Sequence, residues 1–520
     1  MRARYTRRAA VVALAVVACL LLGDDCDVDR DAVRERLARE AAERDTGPSV
    51  AVSPNACVTL PEPMPVGLSL VSGATDRVLV ANSEPAAVIP LNIATQPPSV
   101  ATPGAVPKIP DDSNGDGDDD DPKPVLEGVV GDDPTVPAGL ALATSTAKEQ
   151  VLFVSPTTAT LIPLSVDGMS RTALSTAVEV IPEDETVDSH GMDVTEPFTT
   201  NFTSGVAVSG SHVFVSTSNV ADGAGTEDPV YLPGTVLVYT VDDTVFPPTI
   251  PDSTPQIIST TRYNPSDVTP YTSPGMRSFV LVTSTGALGV ANETLLAHSA
   301  TATDAGKAGA IEVIEVFAAD DPALVAVIPL GETAPGFGKV TVDRKGWIGT
   351  IGSLVERRVL AVDLSVLDEL PDDPPDEPVI LDGSGDETDP VIDAPSLSIP
   401  AIGGGPPAET CAGAVVATAW ADGDRLLALE FCDGTVSSWK VVLDGNPKGN
   451  PNPFPPDRFS LRTVLRAVAP LVGAAPGQLQ APLGMVVRPG KPGVSFVGLD
   501  VFLLVGLPEG ALCGLASDVL

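Results

Sequence analysis

Histidine is almost absent from this chain, with only His190, His212 and His298 among 520 residues. Their spacing forms no zinc motif, and each is expected at the surface rather than as a metal ligand or general base. A Gly-x-Ser-x-Gly elbow, a Walker phosphate loop and a His-Glu-x-x-His helix are missing too, which removes the motif-borne routes to serine hydrolysis, nucleotide binding and zinc proteolysis. Basic side chains are scarce: 30 Lys and Arg face 69 Asp and Glu, for a net charge of −39. A polyphosphate would be repelled, so nucleic acid is not an expected partner. Aromatic residues make up 4%, which leaves the core to Val, Ala, Leu and Ile. The longest apolar run, 9–22, has fourteen residues, short for a membrane span.

What is plentiful is punctuation. The 47 Gly and 52 Pro suit many short strands joined by turns and argue against long helices. At the N-terminus, Arg2, Arg4, Arg7 and Arg8 precede the apolar run, which is the layout of a signal peptide over 1–23. The rest of the chain is then expected to be exported and soluble. Cys19 and Cys26 close this segment, which resembles a bacterial lipoprotein signal; a plain secretory signal with incidental cysteines is the alternative. The following stretch, 24–49, is charged and Ala-rich with little apolar face, and reads as a short helical or disordered tether.

From residue 50 the pattern changes and then repeats. "MPVGLSLVSGATDRVLVANSEPAAVIPLNIATQ" from Met64 and "VPAGLALATSTAKEQVLFVSPTTATLIPLSVDG" from Val136 share one grammar: Pro-x-Gly-Leu, a polar turn, a Val-Leu core, a second turn and an Ile-Pro-Leu strand. Further copies begin near 204, 265, 338, 411 and 482. Aligning their first strands on Leu68, Leu140, Val206, Val268, Val340, Ala414 and Met485 gives steps of 72, 66, 62, 72, 74 and 71. A unit of three or four short strands cannot bury both faces alone, so stacked copies must cover one another. Seven such units over 50–520 predict an all-β, seven-bladed propeller with loop insertions; two β-sandwich domains would not impose one period.

The junction "ALVAVIPLGETAPGFGKVTVDRKGWIGT" from Ala323 resembles that of YVTN-type and NHL-like propeller repeats, and "RVLVANSEPAAV" and "FVLVTSTG" are similar to the strand that names the YVTN repeat. The resemblance covers roughly 57–520 and draws its specificity from recurrence. It implies the propeller fold and, in the lactonase-type members, a hydrolytic site at a mouth of the central channel. The Gly-His and Trp-Asp pairing and the Gly-Gly pattern of other propeller families are missing.

Three inserts stand out by composition: 95–133, 183–202 and the acidic, Pro-rich 368–395, all expected as mobile surface segments. The first contains "DSNGDGDDD". Its Asp112, Asn114, Asp116 and Asp120 place oxygen ligands around a Gly turn, as in the acidic loops of EF-hand-like and thrombospondin type 3 repeats, and make calcium the one candidate cofactor. Lys123 stands where an EF-hand needs its last Glu, and a flexible acidic linker is the alternative. Among the later cysteines, Cys411 and Cys432 flank an expected hairpin and could pair across it, or remain buried thiols. Cys57 and Cys513 lie at the two ends of the repeat region and would meet if one blade took strands from both chain ends. Trp347, Trp420 and Trp439 fall in or beside strands, where packing is their expected role.

The functional expectation is an exported, non-enzymatic binding or scaffold protein of the bacterial envelope, placed in the periplasm, anchored at the outer membrane or outside the cell. Its partner would be a protein or small molecule, with membrane contact only through an N-terminal lipid. The alternative is a lactonase-like hydrolase, which would need a convergent polar cluster at the channel mouth.

Overall fold

The computed structural model of the protein describes residues 57–515 in segments: the strands named below, several of their turns and a continuous stretch over 358–381. Residues 1–56, 110–122, 125–140, 285–311, 382–414, 442–458, 466–481, 489–500 and 516–520, and shorter stretches between strands, lie outside the described set.

Antiparallel meanders follow one another along the chain. The first sheet holds Pro65–Leu70, Arg77–Ser83 and Ala86–Asn92, with Ser99–Val100 and Gly104–Ala105 at its outer edge. The second holds Ala141–Ser145, Gln150–Ser155, Thr160–Ser165 and Leu174–Ser175. The third is built from Thr203–Ser209, His212–Thr217, Pro233–Thr240 and Gln256–Tyr263. Pro265–Thr272, Ser278–Ser284, Glu312–Ala318 and Ala323–Gly331 make the fourth. The fifth has Thr341–Val342, Ile348–Ser353 and Arg358–Asp363. The sixth has Val415–Ala421, Arg425–Glu430, Val436–Val441 and Phe459–Leu465. The last takes Pro482–Val487, Val501–Val505 and Ala511–Leu515 from the C-terminal end, and its outer strand is Cys57–Thr59.

Wherever side chains are described, the sheets are buried on both faces, and strand alternation explains how. Successive side chains point to opposite faces, so an uninterrupted apolar run can feed two interfaces at once. In Ser278–Ser284, Phe279 and Leu281 pack toward the fifth sheet while Val280 and Val282 pack toward the third. In Arg425–Glu430, Leu426 and Ala428 meet the fifth sheet and its tryptophan neighbours, whereas Leu427 and Leu429 meet the last sheet. In Val501–Val505, Val501 and Leu503 join the sixth, and Phe502 and Leu504 join the first. The core is therefore a set of layers between consecutive sheets.

The first strand of each meander packs against the first strand of the next: first to second, second to third, third to fourth, fifth to sixth, sixth to last, and last back to first. Between the fourth and fifth, Thr269 Oγ1 donates to Val340 O at 3.0 Å and Tyr271 Oη to Gly346 O at 2.7 Å. Sheets arranged radially, first strands innermost and the end sheets in contact, make a β-propeller.

The inserts differ from expectation in physically readable ways. Within 95–133, Ser99–Val100 and Gly104–Ala105 pair with Ala86–Asn92 as outer strands of the first sheet. Lys108–Ile109 then pairs with Lys123–Pro124, which brings together the two ends of the acidic run. Within 183–202, Val187–Ser189 pairs with Met192–Val194.

The 368–395 insert is not wholly mobile surface. After Asp363 a 3-10 segment, Leu364–Glu369, runs on to Val379–Ile380, which adds in parallel to Ala326–Val327 of the fourth sheet. Leu370 and Leu381 are buried in the layer between the fourth and fifth sheets, and Arg277 donates to the carbonyls of Leu367, Leu370 and Pro371 at 3.3, 2.7 and 2.6 Å. Asp372, Asp373, Asp376 and Glu377 face outward. Average composition hides the anchors: a few apolar residues spaced among many acids suffice to hold the segment down.

Candidate functional site

The first strands converge on the axis, where they pack against one another. At this point five of them carry the same irregularity, a register shift between Pro65 and Gly67, Thr203 and Gly205, Pro265 and Asp267, Val415 and Ala417, and Pro482 and Gly484. The Pro-x-Gly of the first and last sheets is thus a β-bulge that bends the strand as it enters the ring, and the third, fourth and sixth sheets bulge at the same point with other residues. At Gly205 the small residue has a steric reason, since a Cβ would lie 2.9 Å from both Val268 N and Cγ2 and 3.0 Å from Asp267 Cα, whereas at Gly484 the nearest atom would be Leu68 Cβ at 3.8 Å.

Asp267 breaks this rule. Four equivalent positions hold Gly67, Gly205, Ala417 and Gly484, and the fourth sheet holds a carboxylate. Asp267 is half-buried by surface yet closely surrounded, and desolvation pushes its carboxyl above the ordinary range. The exposed ammonium of Lys339 and the Val268 N–H, which donates to Asp267 Oδ1 at 2.7 Å, act in the opposite direction. Lys339 immediately precedes Val340 as Asp267 precedes Val268, so the two charges stand at matching points of neighbouring sheets. A fixed carboxylate beside an ammonium at an axial mouth can hold a dipolar or hydrogen-bonding ligand, and its raised proton affinity suits it to proton exchange.

Other buried polar groups serve the chain itself. Glu315 is fully buried between the fourth and third sheets, where it accepts from Ser284 Oγ at 2.7 Å, from Thr261 Oγ1 at 2.8 Å and from the Thr261 N–H. Burial raises its proton affinity, opposed by these bonds and by the nearby Arg262. Asp343 closes the turn into Ile348–Ser353 by accepting from the N–H groups of Lys345, Trp347 and Ile348 at 2.9, 2.6 and 2.7 Å. Asp363 caps the 3-10 segment through Ser365 N and Oγ at 2.9 and 2.6 Å. Thr341, Thr350 and Thr418 share hydroxyl bonds at 3.0 and 2.7 Å across the fifth and sixth sheets, completed by Trp420 Nε1 donating to Thr350 Oγ1 at 3.2 Å.

Of the residues singled out from sequence, Cys57 and Cys513 stand directly opposite one another in the last sheet, 4.0 Å apart at Cα, and form a disulfide. His212 is not a plain surface residue: half-buried at the tip of its hairpin, its Nδ1 lies 3.0 Å from Ala319 O and ties the third sheet to the fourth. Trp347, Trp420 and Trp439 pack together in the layer between the fifth and sixth sheets. The hairpin expected between Cys411 and Cys432 is present, with Val415 opposite Glu430, but both cysteines lie outside the described residues. So do the signal peptide and tether, Cys19, Cys26, His190, His298, Asp112, Asn114, Asp116 and Asp120. Among the described residues no group of three or more His, Cys, Asp or Glu is disposed to hold a metal ion. Asp267, Lys339 and Glu315 were not anticipated. The signal for Asp267 was available, since "PSDV" stands where other units read "PVGL" or "PAGL".

No protein-family profile matches the chain, and neither does any curated protein. Among solved structures it is similar to the β-propeller domain of Cps50 (Swd1) from Myceliophteria thermophila, with 9% identity over 88% of this chain and 99% of that one and a TM-score of 0.43. It is similar also to streptogramin B lyase, with 10% identity, 88% and 96% coverage and a TM-score of 0.42. The hydrazine synthase of Kuenenia stuttgartiensis follows, with 12% identity, 74% and 98% coverage and a TM-score of 0.34.

Proposed function

We propose that the chain is a seven-bladed propeller, exported through its N-terminal segment and held in or near the bacterial envelope, that works as a non-enzymatic binding or scaffold protein. The observation that carries this reading is the one-sidedness of its connections. Each first strand begins, each second strand ends and each third strand begins at the same end of the ring, here the upper end. The longest connections, 106–140, 176–202, 285–311 and 382–414, all leave from strand ends on that side. The lower end carries short hairpin turns such as 210–211, 273–277 and 343–347 and the connections 241–255, 442–458 and 488–500. A scaffold that varies its loops at one end presents a binding face there.

Photocrosslinking tests this. A photoreactive residue at the exposed Lys339 on the upper end should trap a partner in envelope preparations, and one at Met276 on the lower end, 80% exposed, should not. The reverse pattern would overturn the assignment of the face.

The hydrolase alternative draws its support from one observation, the carboxylate of Asp267 beside Lys339 where the ring otherwise holds small residues. Ring-opening of lactones by the purified chain, abolished in Asp267→Gly, would put that reading first.

A further inference from the structure

We infer that closure of the ring is conditional on oxidation: the Cys57–Cys513 bond is a redox-sensitive clasp, and with both thiols free the last sheet loses its outer strand while the other sheets keep theirs.

The closing strand is shorter than the outer strands of the third, fourth and sixth sheets, and unlike the two-residue outer strands Ser99–Val100 and Leu174–Ser175 it does not follow on from its own meander. Cys57–Thr59 makes three residue pairs with Ala511–Leu515, followed by one more backbone bond from Leu60 N to Gly510 O at 2.8 Å. The outer strands of the third, fourth and sixth sheets are Gln256–Tyr263, Ala323–Gly331 and Phe459–Leu465, and each continues directly from its own meander. The closing strand instead arrives from the far end of the chain, 456 residues away. Its apolar contribution is small. Val58 and Leu60 join the layer with the first sheet, Cys57 borders the layer with the sixth, and Thr59 is exposed. These few side chains must offset the ordering of a chain end and the closing of a very long loop. The covalent bond removes that loop-closure cost for as long as it lasts.

The chemistry is reversible in place. Cys513 is fully buried, whereas Cys57 is half-buried, which makes Cys57 the side of the bond from which an external thiolate would attack. Formation of the bond removes two protons and two electrons from the thiols and delivers them to an external disulfide. Reduction by dithiothreitol returns them and leaves the reductant as its own cyclic disulfide.

Hydrogen exchange on the full chain, with and without dithiothreitol, tests the clasp. Reduction should lower amide protection in Ala511–Leu515 about a hundredfold, while Ser278–Ser284 and His212–Thr217 hold theirs. A variant carrying both Cys57→Ser and Cys513→Ser should show the reduced pattern in Ala511–Leu515 with and without reductant. Should that variant fail to fold, reductant titration of the unaltered chain still decides. A dimer that appears on reduction and becomes linked through Cys57 and Cys513 of different copies on reoxidation also supports an opened edge. Unchanged protection at 511–515, or equal loss in every sheet, would overturn the inference.

Discussion

Glu315 shows what a buried charge does in this molecule. Its carboxyl bridges two sheets through Thr261 and Ser284, yet desolvation holds its proton affinity above the ordinary carboxylate value. The unfolded chain gives up this proton in the usual acid range, so above that range the native state binds more protons than the unfolded state. Stability from this site is therefore fully present below the unfolded value and is lost as pH rises toward the native one. Glu315→Gln removes the ionisation while keeping a polar group for Thr261 and Ser284. Its denaturation midpoint should fall less than the parent's between about pH 4.5 and pH 8; an equal fall in both would place the pH dependence elsewhere. Asp267 poses the opposite case, a carboxylate at a position that tolerates glycine. Asp267→Gly should change stability by no more than about 1 kcal/mol, because a lost desolvation cost and an added backbone entropy cost oppose each other. A loss of several kcal/mol in urea would make Asp267 structural and leave the axial mouth without its candidate.

At the scale of elements, the molecule is assembled from hairpins whose second strands feed two layers each. A tight junction with backbone lies at Gly352, in Ile348–Ser353. A Cβ there would sit 2.6 Å from Val415 O and 2.8 Å from Val415 Cγ1, and backbone cannot rotate out of the way. Gly352→Ala should destabilise the fold by about 1–3 kcal/mol, read from the shift in urea midpoint. No shift would mean that the fifth and sixth sheets can slide apart freely, contrary to the hydroxyl bonds of Thr341, Thr350 and Thr418. The 3-10 segment and its continuation to Leu381 illustrate another device. The fifth meander gives its following chain to the outer edge of the fourth, and Arg277 holds it by three carbonyls.

For the whole molecule, ring closure joins the two chain ends, and a disulfide spanning a loop of this size is worth about 6 kcal/mol in the chain-entropy view. Insertions are inexpensive by the same polymer reasoning, since loop cost grows slowly with length. Deletion of 111–121 should leave the melting temperature within a few degrees when measured in chelator. If the calcium proposal for Asp112, Asn114, Asp116 and Asp120 is right, calcium raises the melting temperature of the parent and not of the deletion variant. Collapse of the fold on deletion would instead make the segment structural.

The strand character, the repeat and the place of Cys57 and Cys513 were legible in the sequence because they are periodic or positional. Uninterrupted apolar runs mark strands buried on both faces, and Pro-x-Gly marks the entry of the first and last sheets to the ring. The charges at the axis were not legible in the same way. Asp267 and Lys339 lie 72 residues apart, and only the convergence of first strands brings them to matching points. Glu315 likewise reads as one acid among 69 until the third sheet covers it. The route of 364–381 onto a neighbouring sheet was hidden by acidic composition, because burial depends on where Leu370 and Leu381 land rather than on the average of their surroundings. Local pattern determined the strands; the curvature of the closed ring decided which side chains meet.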